Sequence, residues 1–226
     1  MISSHPEIEL AGFIEQTCLK PTATEQDIRQ VCWEAEQYRF GGVCVAPVYV
    51  RLAVELLHKK KPQVVTVIGF PAGTSTSATK LYEAQEATVH GANILEVMVN
   101  LGFVKGGQYN AVYEEFGQIV EQTNRPVRAI LELNLLEPDE WKHVAEICLD
   151  VGVSGLKTAT GWAGATRHED IQQLRRLVRN QLGIKAAGGI RTLNQALELL
   201  AAGADRLGTS RGVEMLREQE LEGQSA

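Results

Sequence analysis

Short runs rich in Val and Ile alternate with longer amphipathic segments along the whole sequence, and that alternation restricts the chain to βα units feeding a parallel sheet. The apolar runs predict strands over residues 12–17, 42–46, 64–69, 94–100, 127–133, 155–160, 184–187 and 206–210. Eight units in 226 residues leave about 28 residues each, close to the least a closed barrel needs. No linker, composition shift or low-complexity tract breaks the pattern, so the reading is one α/β domain over 1–226, a single (β/α)8 TIM barrel. An open doubly wound sheet is the structural alternative. Helix starts are marked by Thr166 with Glu169 and Thr192 with Gln195, both spaced as capping boxes, and by Pro138 at a first-turn position.

A weak internal repeat refines this. Gly41, Gly91, Gly152 and Gly203 each stand where a helix should end through positive φ, and they recur at about two βα units. They therefore mark the even strands. Counting five residues past each gives Ala46, Glu96, Lys157 and Gly208, which are expected to share one layer of the barrel interior, the two small residues leaving room for a ligand.

Composition acts by exclusion. Twenty-two Lys and Arg against 28 Asp and Glu leave a net charge of −6, the wrong sign for gripping a phosphate backbone, so no nucleic-acid partner is expected. The uncharged stretch Pro62 to Thr79 turns to Gly, Pro, Ser and Thr in its second half, so no membrane span is expected. The opening MISSHPEIEL has acids and no basic-then-apolar block; no secretory signal is read, and a cytoplasmic location is expected. Cys18, Cys32, Cys44 and Cys148 are dispersed, which suits reduced thiols, and the five His show no HExxH, so no metal site is expected.

The chemistry concentrates in a few charged residues inside apolar strands. Lys157 lies in GLKTATG and Lys185 in GIKAAGG, on adjacent strands about 5 Å apart. Burial and like charge both favour a neutral amine, so one lysine becomes a nucleophile toward carbonyls, which is imine-forming chemistry. The competing reading turns each lysine outward to a rim. Glu96, in ILEVMVN, reads either as an acid/base opposite the lysines or as an outward ion pair.

After the seventh and eighth predicted strands come AAGGIRT and GTSRG, each leading into a helix. Gly188, Gly189, Gly208 and Ser210 are candidate anion-cradle residues, with Arg191 or Arg211 adding charge; ordinary βα turns are the alternative. Residues 208–212 also match GxSxG, but no His follows to complete a hydrolase triad. Residues 69–75 lack the lysine of a Walker loop and no GxGxxG occurs, so neither ATP nor NAD is implied.

In order, IEQTCLKP, VCVAP, TVIGFPAGTSTSATKLYEA, KTATGW, KAAGGIRT and RLGTSRG resemble the deoxyribose-phosphate aldolase family, from about Phe13 to Val213. The resemblance implies reversible cleavage of 2-deoxy-D-ribose 5-phosphate to glyceraldehyde 3-phosphate and acetaldehyde, with no metal or other cofactor, by a homodimer. It places the Schiff-base lysine at Lys157, the helper lysine at Lys185 and the acid/base at Glu96. Thr160, Gly161, Gly188, Gly189, Arg191, Gly208 and Ser210 fall on its substrate and phosphate contacts. Cys44 falls near the barrel, where its thiol either meets an aldehyde or lies inert and buried. The sequence departs from the family pattern where Glu96 replaces Asp, Glu15-Gln16 replaces Asp-His, Ala46 replaces Asn, Leu133-Asn134 replaces Thr-Cys and Ala187 replaces Ser. A phospho-sugar binder that has lost its acid/base step, and a class I aldolase for a related phospho-sugar, are the alternative functions.

Overall fold

The computed structural model describes residues 9–224, so most of the segment searched for a secretory signal lies outside the described residues. Eight parallel strands close into a barrel in chain order: β1 (Ile14–Cys18), β2 (Gly42–Val45), β3 (Gln63–Ile68), β4 (Ile94–Met98), β5 (Val127–Ile130), β6 (Gly155–Lys157), β7 (Gly183–Ala187) and β8 (Arg206–Thr209). The helices are α1 (Glu25–Gln37), α2 (Val50–Leu56), α3 (Ser77–Val89), α4 (Leu101–Lys105), α5 (Tyr109–Thr123), α6 (Pro138–Asp150), α7 (His168–Val178), α8 (Leu193–Ala201) and α9 (Gly212–Gln224). This is the (β/α)8 barrel expected from the alternation. Among the described residues no helix is long and apolar enough to cross a membrane.

All eight expected strands are present. Those over 94–100, 127–133 and 155–160 end two or three residues earlier than the apolar pattern suggests, because the chain leaves the sheet there to form the barrel mouth. Pro138 occupies the first turn of α6, and Thr192 with Gln195 forms the capping box of α8. The Thr166/Glu169 box does not form. α7 starts one residue later, with Asp170 accepting from the N–H of Arg167, while the Thr166 hydroxyl is drawn inward to the Ala187 carbonyl at 2.5 Å.

Two apolar layers hold the fold. The larger fills the space between barrel and helices; the smaller lies inside the barrel and contains Cys44, Val65, Val67, Ile94, Met98 and Ile130. Followed strand by strand from Glu15 and Gly42 around the closed barrel, the register returns to β1 shifted by about eight residues. With strand tilt taken into account, inward positions fall into stacked layers. Odd strands supply Glu15, Val65, Arg128 and Lys185; above them even strands supply Cys44, Glu96, Lys157 and Gly208; toward the mouth come Thr17, Val67, Ile130 and Ala187.

Three of the four residues expected in the middle layer are therefore level, but Cys44 replaces Ala46. The cause is the end of α1. In α3, α6 and α8 a left-handed glycine (Gly91, Gly152 or Gly203) precedes an N–H that reaches five residues back, as in Ala92 to Ala87. In α1 the matching bond runs from Phe40 to Ala35, and the left-handed residue is Arg39, at φ 58°. Gly41 is not left-handed, and counting from it overshoots by two.

Candidate active site

The two lower layers place five ionisable side chains in contact inside the barrel. Lys157 Nζ donates to Glu96 Oε2 at 2.6 Å, and Lys185 Nζ donates to Glu96 Oε1 at 2.7 Å and to Glu15 Oε2. Arg128 Nη1 donates to both oxygens of Glu15, at 2.8 and 2.9 Å, and to Glu96 Oε1 at 3.2 Å. Glu15, Glu96, Lys157 and Lys185 are all at most 2% exposed. Burying so many charges is costly unless each is paired, and here every one is.

The inward direction of Lys157, Lys185 and Glu96 settles one sequence alternative, for none reaches an outer rim. The expected electrostatics need correction. Lys157 and Lys185 are register partners, yet the Glu96 carboxylate takes both ammonium groups, one on each oxygen. Burial pulls the Lys185 amine down, but the charges of Glu15 and Glu96 override it and hold that amine above its ordinary value. Burial likewise pushes the Glu96 carboxyl up, and Lys157, Lys185 and Arg128 together hold it well below the usual carboxylate range. Repulsion between the lysines does not neutralise Lys185.

Glu15 and Arg128 were not among the candidate residues. Each carries the signal that identified Glu96, a charge inside an apolar strand run, and Glu15 entered only as a departure from the family pattern. Cys44 is fully buried, and its thiol donates to Glu96 Oε2 at 3.6 Å; burial, then Glu96, pushes its pKa up to about 12. It meets the carboxylate rather than the mouth.

Two adjoining clefts open at the C-terminal ends of the strands. One, of about 810 Å³, is lined by Thr160, Gly161, Gly188, Gly189, Arg191, Gly208, Ser210 and Arg211, which brings the expected cradle residues together. The other, of about 680 Å³, shares Thr17, Thr160, Gly161, Trp162 and Ser210 and extends along α1. Gly189 is left-handed at φ 70°, and a Cβ there would meet that of Ala165 at 2.6 Å, so the turn needs glycine. A Cβ on Gly208 would meet Lys185 Cε at 2.7 Å, so the space beside Glu96 and Lys157 is taken by the Lys185 stem and not left open. Ala46 lines a third cleft, of about 280 Å³, which shares Leu19, Lys20, Pro21, Ala23, Phe70 and Trp162 with the second.

Lys157 lies beneath the clefts with its side chain 3% exposed and its Nζ 5.7 Å from the centroid of the Phe70 ring. The loop after β6 is fastened by Glu132, which accepts from the N–H and hydroxyl of Thr160. Glu132 is buried and left-handed, and its other oxygen has no partner in the structure among the described residues. No group of three His, Cys, Asp or Glu able to hold a metal occurs among them.

A buried lysine bonded to a carboxylate inside a barrel, one layer below a glycine-lined mouth, fits the class of the barrel aldolases. Comparison with known proteins narrows the class. A deoxyribose-phosphate aldolase of Gloeobacter violaceus is 71% identical over 226 residues, covering all of both chains. One from Desulfitobacterium hafniense is 40% identical, over 92% of this chain and 98% of that one. Among solved structures, the deoxyribose phosphate aldolase of Aeropyrum pernix, described as tetrameric, superposes with a TM-score of 0.87 at 33% identity, covering 93% of this chain and 91% of that one. No protein-family model matches. The chain belongs to the deoxyribose-phosphate aldolase family.

Proposed function

We propose that the protein catalyses the reversible retro-aldol cleavage of 2-deoxy-D-ribose 5-phosphate to D-glyceraldehyde 3-phosphate and acetaldehyde, with Lys157 as the Schiff-base nucleophile. The single observation that carries this reading is the 2.6 Å contact between Lys157 Nζ and Glu96 inside the barrel. Relatives up to 71% identical that bear the aldolase name support the substrate.

The amine of Lys157 adds to the C1 aldehyde, and the carbinolamine loses water to give an iminium, which draws the electron pair of the C2–C3 bond as it breaks. Glu96, directly or through a water, accepts the C3 hydroxyl proton in that step. Held ionised by Lys157, Lys185 and Arg128, it is ready as an acceptor at neutral pH. Glyceraldehyde 3-phosphate departs, the enamine takes a proton at C2, and water releases acetaldehyde and restores the amine. Lys185 keeps Glu96 in place and links it to Glu15.

Gly161, Gly188, Gly189, Gly208 and Ser210 cradle the phosphate, with Arg191 or Arg211 supplying charge. Binding energy gathered there positions the aldehyde over Lys157. The chain works as one domain over 1–226. A homodimer is the assembly we infer from the family resemblance.

The test is a coupled assay for glyceraldehyde 3-phosphate with deoxyribose 5-phosphate and a panel of related phospho-sugars. The parent is expected to turn over deoxyribose 5-phosphate best, and Lys157→Ala to be inactive. Full activity in Lys157→Ala, or a preference for another sugar, would overturn the assignment.

A further inference from the structure

We propose that Phe70 is a catalytic residue whose ring caps the Lys157 nitrogen and stabilises the positive charge of the iminium, with Trp162 holding the ring in place. This rests on the Schiff-base reading above. The Lys157 Nζ lies 5.7 Å from the ring centroid, within cation–π reach, and Phe70 lines the clefts that the buried lysine does not. The ring thus borders both the amine and the clefts.

The loop that carries it is held at the preceding residue, Gly69. The Gly69 N–H donates to Glu83 Oε2 at 2.6 Å, and Gly69, left-handed at φ 64°, lies so close to Lys80 that a Cβ would meet Cε at 2.8 Å. Lys80 is itself fully buried, donating to the Met98 carbonyl at 2.8 Å and to Glu115 at 2.7 Å. This network links the Phe70 loop to α3, α5 and the end of β4. From the opposite loop, Trp162 meets the Phe70 ring edge to face, with centroids 6.5 Å apart and planes at 90°. The backbone N–H of Trp162 donates to Thr160 Oγ1 at 3.1 Å, and Glu132 accepts from that same hydroxyl.

The ring already faces the Lys157 nitrogen in the free enzyme, and its attraction counts most at one stage of the reaction. In the free enzyme Glu96 is the counter-charge of the Lys157 nitrogen. On condensation with an aldehyde water leaves, and the positive charge spreads from nitrogen to the former carbonyl carbon, away from that carboxylate. An aromatic face beside the buried nitrogen attracts this spread charge, whereas the neutral carbinolamine and enamine gain nothing from it.

Acetaldehyde alone isolates the step. In D2O, exchange of its methyl protons reads iminium–enamine interconversion without C–C cleavage, and borohydride trapping reads the iminium. Phe70→Leu is expected to lower both by about fivefold, equivalent to a cation–π attraction of about 1 kcal/mol. Phe70→Tyr, which keeps the aromatic face, is expected to restore both, and Trp162→Ala to fall between parent and Phe70→Leu. Exchange and trapping in Phe70→Leu equal to those of the parent, or Tyr behaving like Leu, would overturn the role of the ring. Trp162→Ala equal to the parent would overturn the role of Trp162. A parent that neither exchanges nor traps would overturn the Schiff-base reading itself, and this inference with it.

Discussion

The charge count among single residues sets the chemistry of the barrel interior. Lys185 and Arg128 each span Glu15 and Glu96, so two cations face two carboxylates, and Lys157 adds a third cation bonded to Glu96 alone among the carboxylates. Glu96→Gln leaves three cations against one carboxylate and no acceptor for the C3 hydroxyl proton. Steady-state kinetics should show kcat lower by about 10²- to 10³-fold with KM little changed, the pattern of a group acting in the transition state. An unchanged kcat would remove Glu96 from the proton transfer. Glu96, Lys157 and Lys185 were legible in the sequence because a charge inside an apolar strand run is conspicuous. Glu15 and Arg128 share that signal, but they are 113 residues apart, and only closure of the barrel shows that they answer each other's charge.

At the scale of the element, strand order and number followed from periodicity, whereas the layer a residue joins depended on how each helix ends. Arg39 illustrates why. It ends α1 in the left-handed conformation that glycine supplies after α3, α6 and α8, and no local pattern distinguishes it from an arginine on the helix face. A side chain there is strained, so Arg39→Gly is expected to stabilise the protein by about 0.5–1 kcal/mol, offset in part by the greater freedom of glycine in the unfolded chain. Thermal unfolding should show Tm higher by about 2–4 °C at the upper end of that range. A lower Tm would mean that the arginine side chain contributes more than its backbone strain costs. The same dependence on local ends explains the α7 cap. Thr166 has cap chemistry, but its hydroxyl serves the Ala187 carbonyl, a long-range contact that the sequence cannot display.

For the molecule as a whole, the buried cluster couples stability to pH at both ends. Glu15 and Glu96 are held below the ordinary carboxylate value of 4.5, so the stability they add is complete above that pH. As pH falls below it, the unfolded chain takes up protons that the native carboxylates resist, and stability is lost. Lys185 is held above its ordinary 10.5, so its contribution is complete below that pH and is lost as pH rises through the higher native value. Tm is therefore expected to be flat from about pH 5 to pH 8 and to fall on both sides, the buried thiols of Cys32, Cys44 and Cys148, raised from 9, beginning the alkaline loss before Lys185, and the acid limb being shallower in Glu96→Gln. An acid limb as steep in that variant as in the parent would show that Glu96 is not part of the linkage.

The central claim is that Lys157, and not its register partner Lys185, carries the substrate. Borohydride reduction in the presence of deoxyribose 5-phosphate, followed by proteolysis and mass spectrometry, reads the position of the adduct. The account predicts a modified Lys157 and an unmodified Lys185; an adduct on Lys185, or none on either lysine, would contradict it.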